Sequence, residues 1–196
     1  MRAHGVASKK QVIVWAGASA LAVLLAASVW GQAGAPADAA KKKDEKVKVE
    51  AHLSVDKLPA GDKCQILIRL TIEPGWHINA VPASPNTFKT QVEFKGKLGT
   101  KLTDMKFPKG KLLRLMDLDE PVSVYDGKVD IRGVLEVPEL AGGQTEEMEI
   151  AVKYQACNDE KCLIPTTVKL VGKLPVAKPG DTVKPINEKL FPSAGN

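Results

Sequence analysis

The sequence predicts an all-β protein, an immunoglobulin-like β-sandwich preceded by an N-terminal signal or anchor helix. Three observations predict it. Apolar residues beyond position 46 recur with a period of two, the signature of half-buried strands, and no stretch of that region sustains a 3.6 period. Gly, Pro and Asp interrupt these runs at regular intervals, as sharp turns require. The runs number about seven, which suits a two-sheet sandwich.

The N-terminus reads differently from the rest. Arg2, Lys9 and Lys10 precede a nearly uncharged run from Val12 to Trp30, and Ala37-Asp38-Ala39 then offers small residues at a cleavage position. This is the pattern of a secretory signal cut after Ala39, while an apolar run of about 18 residues or more also suffices for an uncleaved anchor. Under either reading the basic end stays cytoplasmic and the remainder is exported to a periplasmic or other extracytoplasmic space. Cysteines there meet an oxidising environment in which disulfides persist.

The expected organisation is a signal or anchor over 1–39, a charged tether over 40–46, a sandwich over 47–173 and a flexible tail over 174–196. At 196 residues with 44% hydrophobic content, the chain has enough apolar side chain for one packed core besides these segments. The formal charge is +5, of which residues 1–39 hold three positive and one negative charge, leaving the exported part at +3. Lys41-Lys42-Lys43 supplies much of that and is followed at once by Asp44 and Glu45. No basic stripe interleaved with aromatic residues is present, so a nucleic-acid partner is not expected. The lysines read as a solvated tether.

Strand by strand, Val47, Val49, Ala51, Leu53 and Val55 alternate with Lys48, Glu50, His52 and Ser54, and Pro59-Ala60-Gly61-Asp62 then turns the chain. Cys64, Ile66, Ile68, Leu70 and Ile72 share the next apolar face, opposite Gln65, Arg69 and Thr71. Pro74-Gly75 ends that strand and opens a Pro-rich stretch through Pro85. Shorter runs follow near 91–95 and 101–107. After Val122 comes the Asp126-Gly127 turn, and Val129, Ile131, Leu135 and Val137 then alternate with polar residues. Beyond Gly142-Gly143, Met148, Ile150, Val152 and Tyr154 form one face, and Thr166, Val168 and Leu170 another.

Between these last two strands lies Cys157-Asn158-Asp159-Glu160-Lys161-Cys162. Strands joined by a four-residue loop set their flanking residues opposite each other, within or near disulfide range. Two readings remain open: a staple that tightens one hairpin, or a reversible redox couple. A ring this small is worth only about 2 kcal/mol by chain entropy, and a domain of about 130 residues does not need it. This favours the redox reading without deciding it.

The stretch Tyr154-Gln155-Ala156-Cys157 through Cys162-Leu163-Ile164-Pro165 resembles the active-site hairpin of the DsbD N-terminal domain family, the N-terminal periplasmic domain of a thiol:disulfide interchange protein. Pro74-Gly75-Trp76-His77-Ile78-Asn79 and Val124-Tyr125-Asp126-Gly127-Lys128-Val129 are similar to two further family segments, so the resemblance covers about residues 46–173.

The resemblance implies an immunoglobulin-like sandwich with a catalytic pair, Cys157 and Cys162, that relays electrons to or from thioredoxin-like redox proteins. The enzyme class it implies is a protein-disulfide reductase or thiol-disulfide exchange component. Cys162 makes the intermolecular bond in this reading and Cys157 resolves it. Lys161 favours a thiolate at Cys162 while Asp159 and Glu160 oppose it, so the direction of that balance is open.

Family members also shield the pair with an aromatic-bearing cap loop. The matching region, Arg114 to Pro121, has no Phe, Tyr or Trp. Met116, Leu118, Asp119, Glu120 and Tyr125 are the cap or site-shaping candidates. No electron-transfer domain is recognisable within these 196 residues, and a separate membrane electron carrier is the expected source of electrons. The competing function class is a noncatalytic β-sandwich binding module with a structural hairpin disulfide.

The remaining chemistry-bearing residues read more mildly. Cys64 is in phase with Ile66 and Ile68 and is expected as a buried free thiol. His77 is expected to pack or hydrogen-bond, and a soft-metal site built from it with Cys157 and Cys162 is a minor alternative. No phosphate loop, Ser-His-Asp set or carboxylate pair is recognisable, so no cofactor, no metal and no hydrolase chemistry are expected.

Overall fold

The computed structural model describes residues 45–114 and 120–191. The signal or anchor of residues 1–39 and most of the tether lie outside them. Among the described residues no helix is long and apolar enough to cross a membrane. They form β1 (Val47–Leu53), β2 (Lys63–Ile72), β3 (His77–Asn79), β4 (Gln91–Gly96), β5 (Lys101–Lys106) and β6 (Lys111–Leu113). Then come β7 (Val122–Tyr125), β8 (Lys128–Glu136), a 3-10 turn at Glu139–Ala141, β9 (Thr145–Tyr154), β10 (Ala156–Cys157) and β11 (Thr166–Pro175).

The strands pair antiparallel in three sheets, ordered β1-β2-β8-β5, β11-β9-β4 and β10-β3-β7-β6. Alternation explains the first two. Ile66, Ile68, Leu70 and Ile72 from β2, with Val129, Ile131 and Leu135 from β8, join Met148, Ile150, Val152 and Tyr154 of β9 in a single buried cluster. The period-two faces read from the sequence are therefore the two inner faces of one core. Burying a side chain of this size is worth about 1.5–3 kcal/mol, so this cluster is the principal source of stability. On the outward face, Arg69 and Asp130 are register partners and form a two-pronged ion pair, with both N–H···O distances 2.7 Å.

The third sheet is shorter, and turns position it. Glu73-Pro74-Gly75-Trp76 closes with the Trp76 amide donating to the Glu73 carbonyl at 3.0 Å, and Gly75 has φ of 77°. Pro at the second and a positive-φ Gly at the third position make a type II turn. It delivers the chain from β2 into β3. The Asp126-Gly127 turn, with Gly127 at φ 60°, likewise carries the chain from β7 of the small sheet into β8 of the large one. These two turns hold the small sheet against the end of the core.

The segment beyond β11, expected as a flexible tail, is packed instead. Val176 and Ala177 are buried, and Val176 bridges Leu58. The Asp56 amide donates to the Lys184 carbonyl at 3.0 Å, Ile186 returns a bond to Ser54 at 2.9 Å, and the Arg132 guanidinium donates to Leu190 at 2.8 Å and lies 6.0 Å from the Phe191 ring. Phe191 is buried, as is Leu67, the outward-facing register partner of Arg132. The segment lacks periodicity because it is tied down by isolated backbone bonds and one terminal aromatic residue, not by a strand.

Candidate functional site

The residues 155–165 interrupt the β9–β11 ladder, whose pairing runs from Thr145↔Pro175 to Tyr154↔Thr166. Past Tyr154 the chain leaves that sheet. Ala156 and Cys157 pair instead with Ile78 and His77 of β3. The tip is a compact turn in which the Asn158 amide donates to the Lys161 carbonyl at 2.9 Å, and the Asn158 side-chain oxygen accepts from the amides of Glu160 and Lys161 at 3.1 and 2.8 Å. An Asx turn of this kind is why Asn suits the first loop position. Behind it, the Leu163 amide donates to Ala156 at 2.8 Å and the Gln155 amide group to the Leu163 carbonyl at 3.0 Å.

This turn brings Cys157 and Cys162 into register opposite each other, with their Cα atoms 4.0 Å apart and their sulfurs bonded. The two ends of the bond differ. Cys157 is 4% exposed, held between β3 and the hairpin, whereas Cys162 is exposed. Leu163 packs partly against the core, and Ile164 beside it stands 87% exposed.

His77 is the register partner of Cys157 and is buried. In an antiparallel pair, opposed side chains share a face with Cβ atoms about 4.5–5.5 Å apart. Burial lowers the His77 pKa below the usual histidine value, while the carboxylates of Asp159 and Asp126 pull it back up. The expectation for His77 is packing or hydrogen bonding, with a soft-metal site shared with Cys157 and Cys162 as a minor alternative, and the structure sets it directly opposite Cys157 in the strand pairing. The signal was the Pro-Gly turn immediately before it, but the sequence does not say which strand a three-residue β3 will meet.

Tyr125 pairs with Ile78, one step from His77. Its hydroxyl accepts from the Val81 amide at 3.1 Å and donates to the Pro108 carbonyl at 2.8 Å, so it ties two loops together. Burial raises its pKa, opposed by the bond from Val81. Glu120 is exposed just ahead of β7, at the end remote from Tyr125, and Met116, Leu118 and Asp119 lie outside the described residues. Cys64 is a buried free thiol on β2, where its register partner is Leu135 of β8. Among the described residues no three His, Cys, Asp or Glu side chains are grouped to hold a metal ion.

A groove of about 430 Å³ between the edges of β1 and β11, lined by Leu53, Ile66, Ile150 and Leu170 among others, contains none of the hairpin residues. Thiol exchange takes place between two protein surfaces and needs an accessible sulfur, not a cavity.

The model of the family described as thiol:disulfide interchange protein DsbD, N-terminal, matches residues 39–173. This chain belongs to that family. The DsbD N-terminal match spans β1 through β10 and the hairpin, and ends within β11. Among solved structures, the chain is similar to the reduced DsbD N-terminal domain of Neisseria meningitidis, at 14% identity, covering 70% of this chain and 88% of that one, with a TM-score of 0.42. It is also similar to the N-terminal periplasmic domain of ScsB from Proteus mirabilis, at 10% identity, 76% and 51% coverage and a TM-score of 0.48. A third is the complex of the DsbD and PilB N-terminal domains of Neisseria meningitidis, at 14% identity, 61% and 80% coverage and a TM-score of 0.37. A comparison with functionally curated proteins finds no match.

Proposed function

We propose that this chain is an extracytoplasmic thiol:disulfide interchange module that relays electrons through Cys157 and Cys162 between thioredoxin-like proteins, drawing on a separate membrane electron carrier. Membership in the DsbD N-terminal family supports the chemistry. The observation that supports the assignment of roles is the unequal exposure of the two sulfurs, Cys157 buried and Cys162 in solvent.

An incoming partner thiolate reaches only Cys162. It attacks that sulfur in line with the existing bond, and the Cys157 sulfur leaves as a thiolate with the bonding electron pair. The mixed disulfide then joins Cys162 to the partner. A second partner thiolate attacks the partner's own sulfur, releases Cys162, and leaves this chain with two thiols and the partner with a disulfide. Run backwards, the Cys162 thiolate attacks an oxidised protein and Cys157 attacks Cys162 to resolve the adduct. The Asx turn keeps the two sulfurs opposite each other in both directions.

The test is covalent trapping. A Cys157→Ser variant incubated with a thioredoxin-like protein that keeps only its first active-site cysteine, activated as its thionitrobenzoate mixed disulfide, should release thionitrobenzoate and accumulate a one-to-one adduct through Cys162 that dithiothreitol dissolves, and Cys162→Ser should accumulate far less. No adduct from either variant, with a wild-type bond that thioredoxin-class reductants leave intact, would overturn the proposal and leave a structural staple.

A further inference from the structure

We propose that His77 is the proton acceptor for the Cys157 thiol when Cys157 resolves the mixed disulfide, a role that rests on the exchange reading above. Three observations carry it. His77 stands directly opposite Cys157 in the β3–β10 pairing, which places imidazole and sulfur on one face as nearest cross-strand neighbours. Both residues are buried, His77 at 6% and Cys157 at 4% exposure, so bulk water is a poor acceptor for the Cys157 proton. Among the described residues no hydrogen bond engages the imidazole, which leaves its ring nitrogens available.

The charged groups near the ring are acidic. Asp159 belongs to the hairpin tip and Asp126 to the β7–β8 turn, and both favour the protonated imidazole. Asp126 is itself partnered by Lys111, 2.5 Å away, and the Tyr125 hydroxyl is occupied by Val81 and Pro108. Burial outweighs the two carboxylates and holds the His77 pKa below its usual value. A neutral imidazole at physiological pH is the form that accepts a proton, and the carboxylates stabilise the imidazolium once it forms.

In the step itself, the Cys157 S–H proton passes to an imidazole nitrogen as the sulfur attacks Cys162. The Cys157–Cys162 bond forms, the bond from Cys162 to the partner sulfur breaks, and the partner leaves as a thiolate that takes a proton from water. His77 then returns its proton to solvent. In the reverse direction the imidazolium protonates the departing Cys157 thiolate, which would otherwise be stranded in an apolar site.

The experiment follows dithiodipyridine reacting with the fully reduced chain in a Cys64→Ala background. Attack by Cys162 releases one pyridinethione and resolution by Cys157 releases the second. In His77→Gln the ratio of second-phase to first-phase rate should fall about a hundredfold at neutral pH. The wild-type second phase should rise with pH through a midpoint below the usual histidine value, and the variant should rise only where a thiol ionises. An unchanged ratio and pH profile in a folded variant would overturn the role of His77 while leaving the exchange reading intact. A wild type that releases no second thione overturns both. Because the variant can fail to fold, the wild-type imidazole is also titrated by NMR in both redox states. A second inflection in the reduced form, absent when the disulfide is closed, is expected, and identical single-step curves would overturn the proposal.

Discussion

Cys157 and Cys162 share one bond, yet the first is 4% exposed and the second lies open to solvent. The asymmetry arises because Cys157 is held in the β10–β3 pairing, whereas Cys162 is held by the turn and its bridge to Cys157 and, among the described residues, pairs with no strand beyond it.

Single-cysteine variants of the pair should therefore differ in reactivity. In Cys157→Ser the Cys162 thiol should react with an aromatic disulfide at least about tenfold faster than the Cys157 thiol does in Cys162→Ser, at equal pH. The expectation follows from the dependence of exchange on access to the sulfur. Stopped-flow absorbance measures it, and equal rates would contradict the assignment of attacking and resolving roles.

Cys64 should take no part. Burial pushes its thiol up to about 11, with Asp62 adding to the rise. Near pH 8 only about one molecule in a thousand then carries the thiolate. Iodoacetamide should leave Cys64 unmodified in the native protein and label it once denaturant unfolds the chain, which mass spectrometry of the peptides will read. Native labelling of Cys64 would place it outside the core.

Glu146 should make stability depend on acid. Its side chain is fully buried and accepts from the Leu98 amide at 2.9 Å and the Thr100 hydroxyl at 2.5 Å. Burial alone would raise its pKa, but these bonds reverse the effect and hold it below the ordinary value of 4.5. A depressed carboxylate contributes stability above its unfolded pKa and loses that contribution as pH falls through the folded one. Glu146→Gln should cost about 2 kcal/mol near neutral pH, and the difference from wild type should vanish in acid. Urea melts across pH report it.

Phe191 should contribute to stability despite its place near the C-terminus. It caps the outer face of the large sheet beside Arg132. Phe191→Ala should cost about 2 kcal/mol, the value of withdrawing an aromatic side chain from a largely buried position. An unchanged thermal midpoint would mean that the segment after β11 does not hold the sheet.

Much of the fold was legible in the sequence because its long strands alternate. The faces of β2, β8 and β9 were read correctly from Ile66, Ile68, Val129, Ile131, Ile150 and Val152, since one buried face leaves a period of two. The strands β3, β6 and β10 were not, because two or three residues cannot establish a period. That loss matters most at the site, where β3 carries His77 to Cys157. The sulfur pair was legible from spacing, as the Cys157–Cys162 bond shows, and its chemistry is proposed from the family rather than read from spacing. What spacing could not supply was which sulfur meets solvent, which depends on the departure of Ala156 and Cys157 from the sheet of β9 into that of β3. The segment 176–191 was misread for the opposite reason, since isolated backbone bridges at Val176, Lys184 and Ile186 leave no pattern in the side chains.

The most direct test of the account is the redox equilibrium of the purified chain against dithiothreitol or glutathione buffers of known potential, with the Cys157–Cys162 bond followed by thiol alkylation and mass spectrometry. Exchange-active disulfides are more oxidising than structural ones, which typically lie below about −300 mV. The account predicts a midpoint above about −300 mV, within reach of thioredoxin-class donors. A bond that stays closed at potentials well below that limit would contradict it.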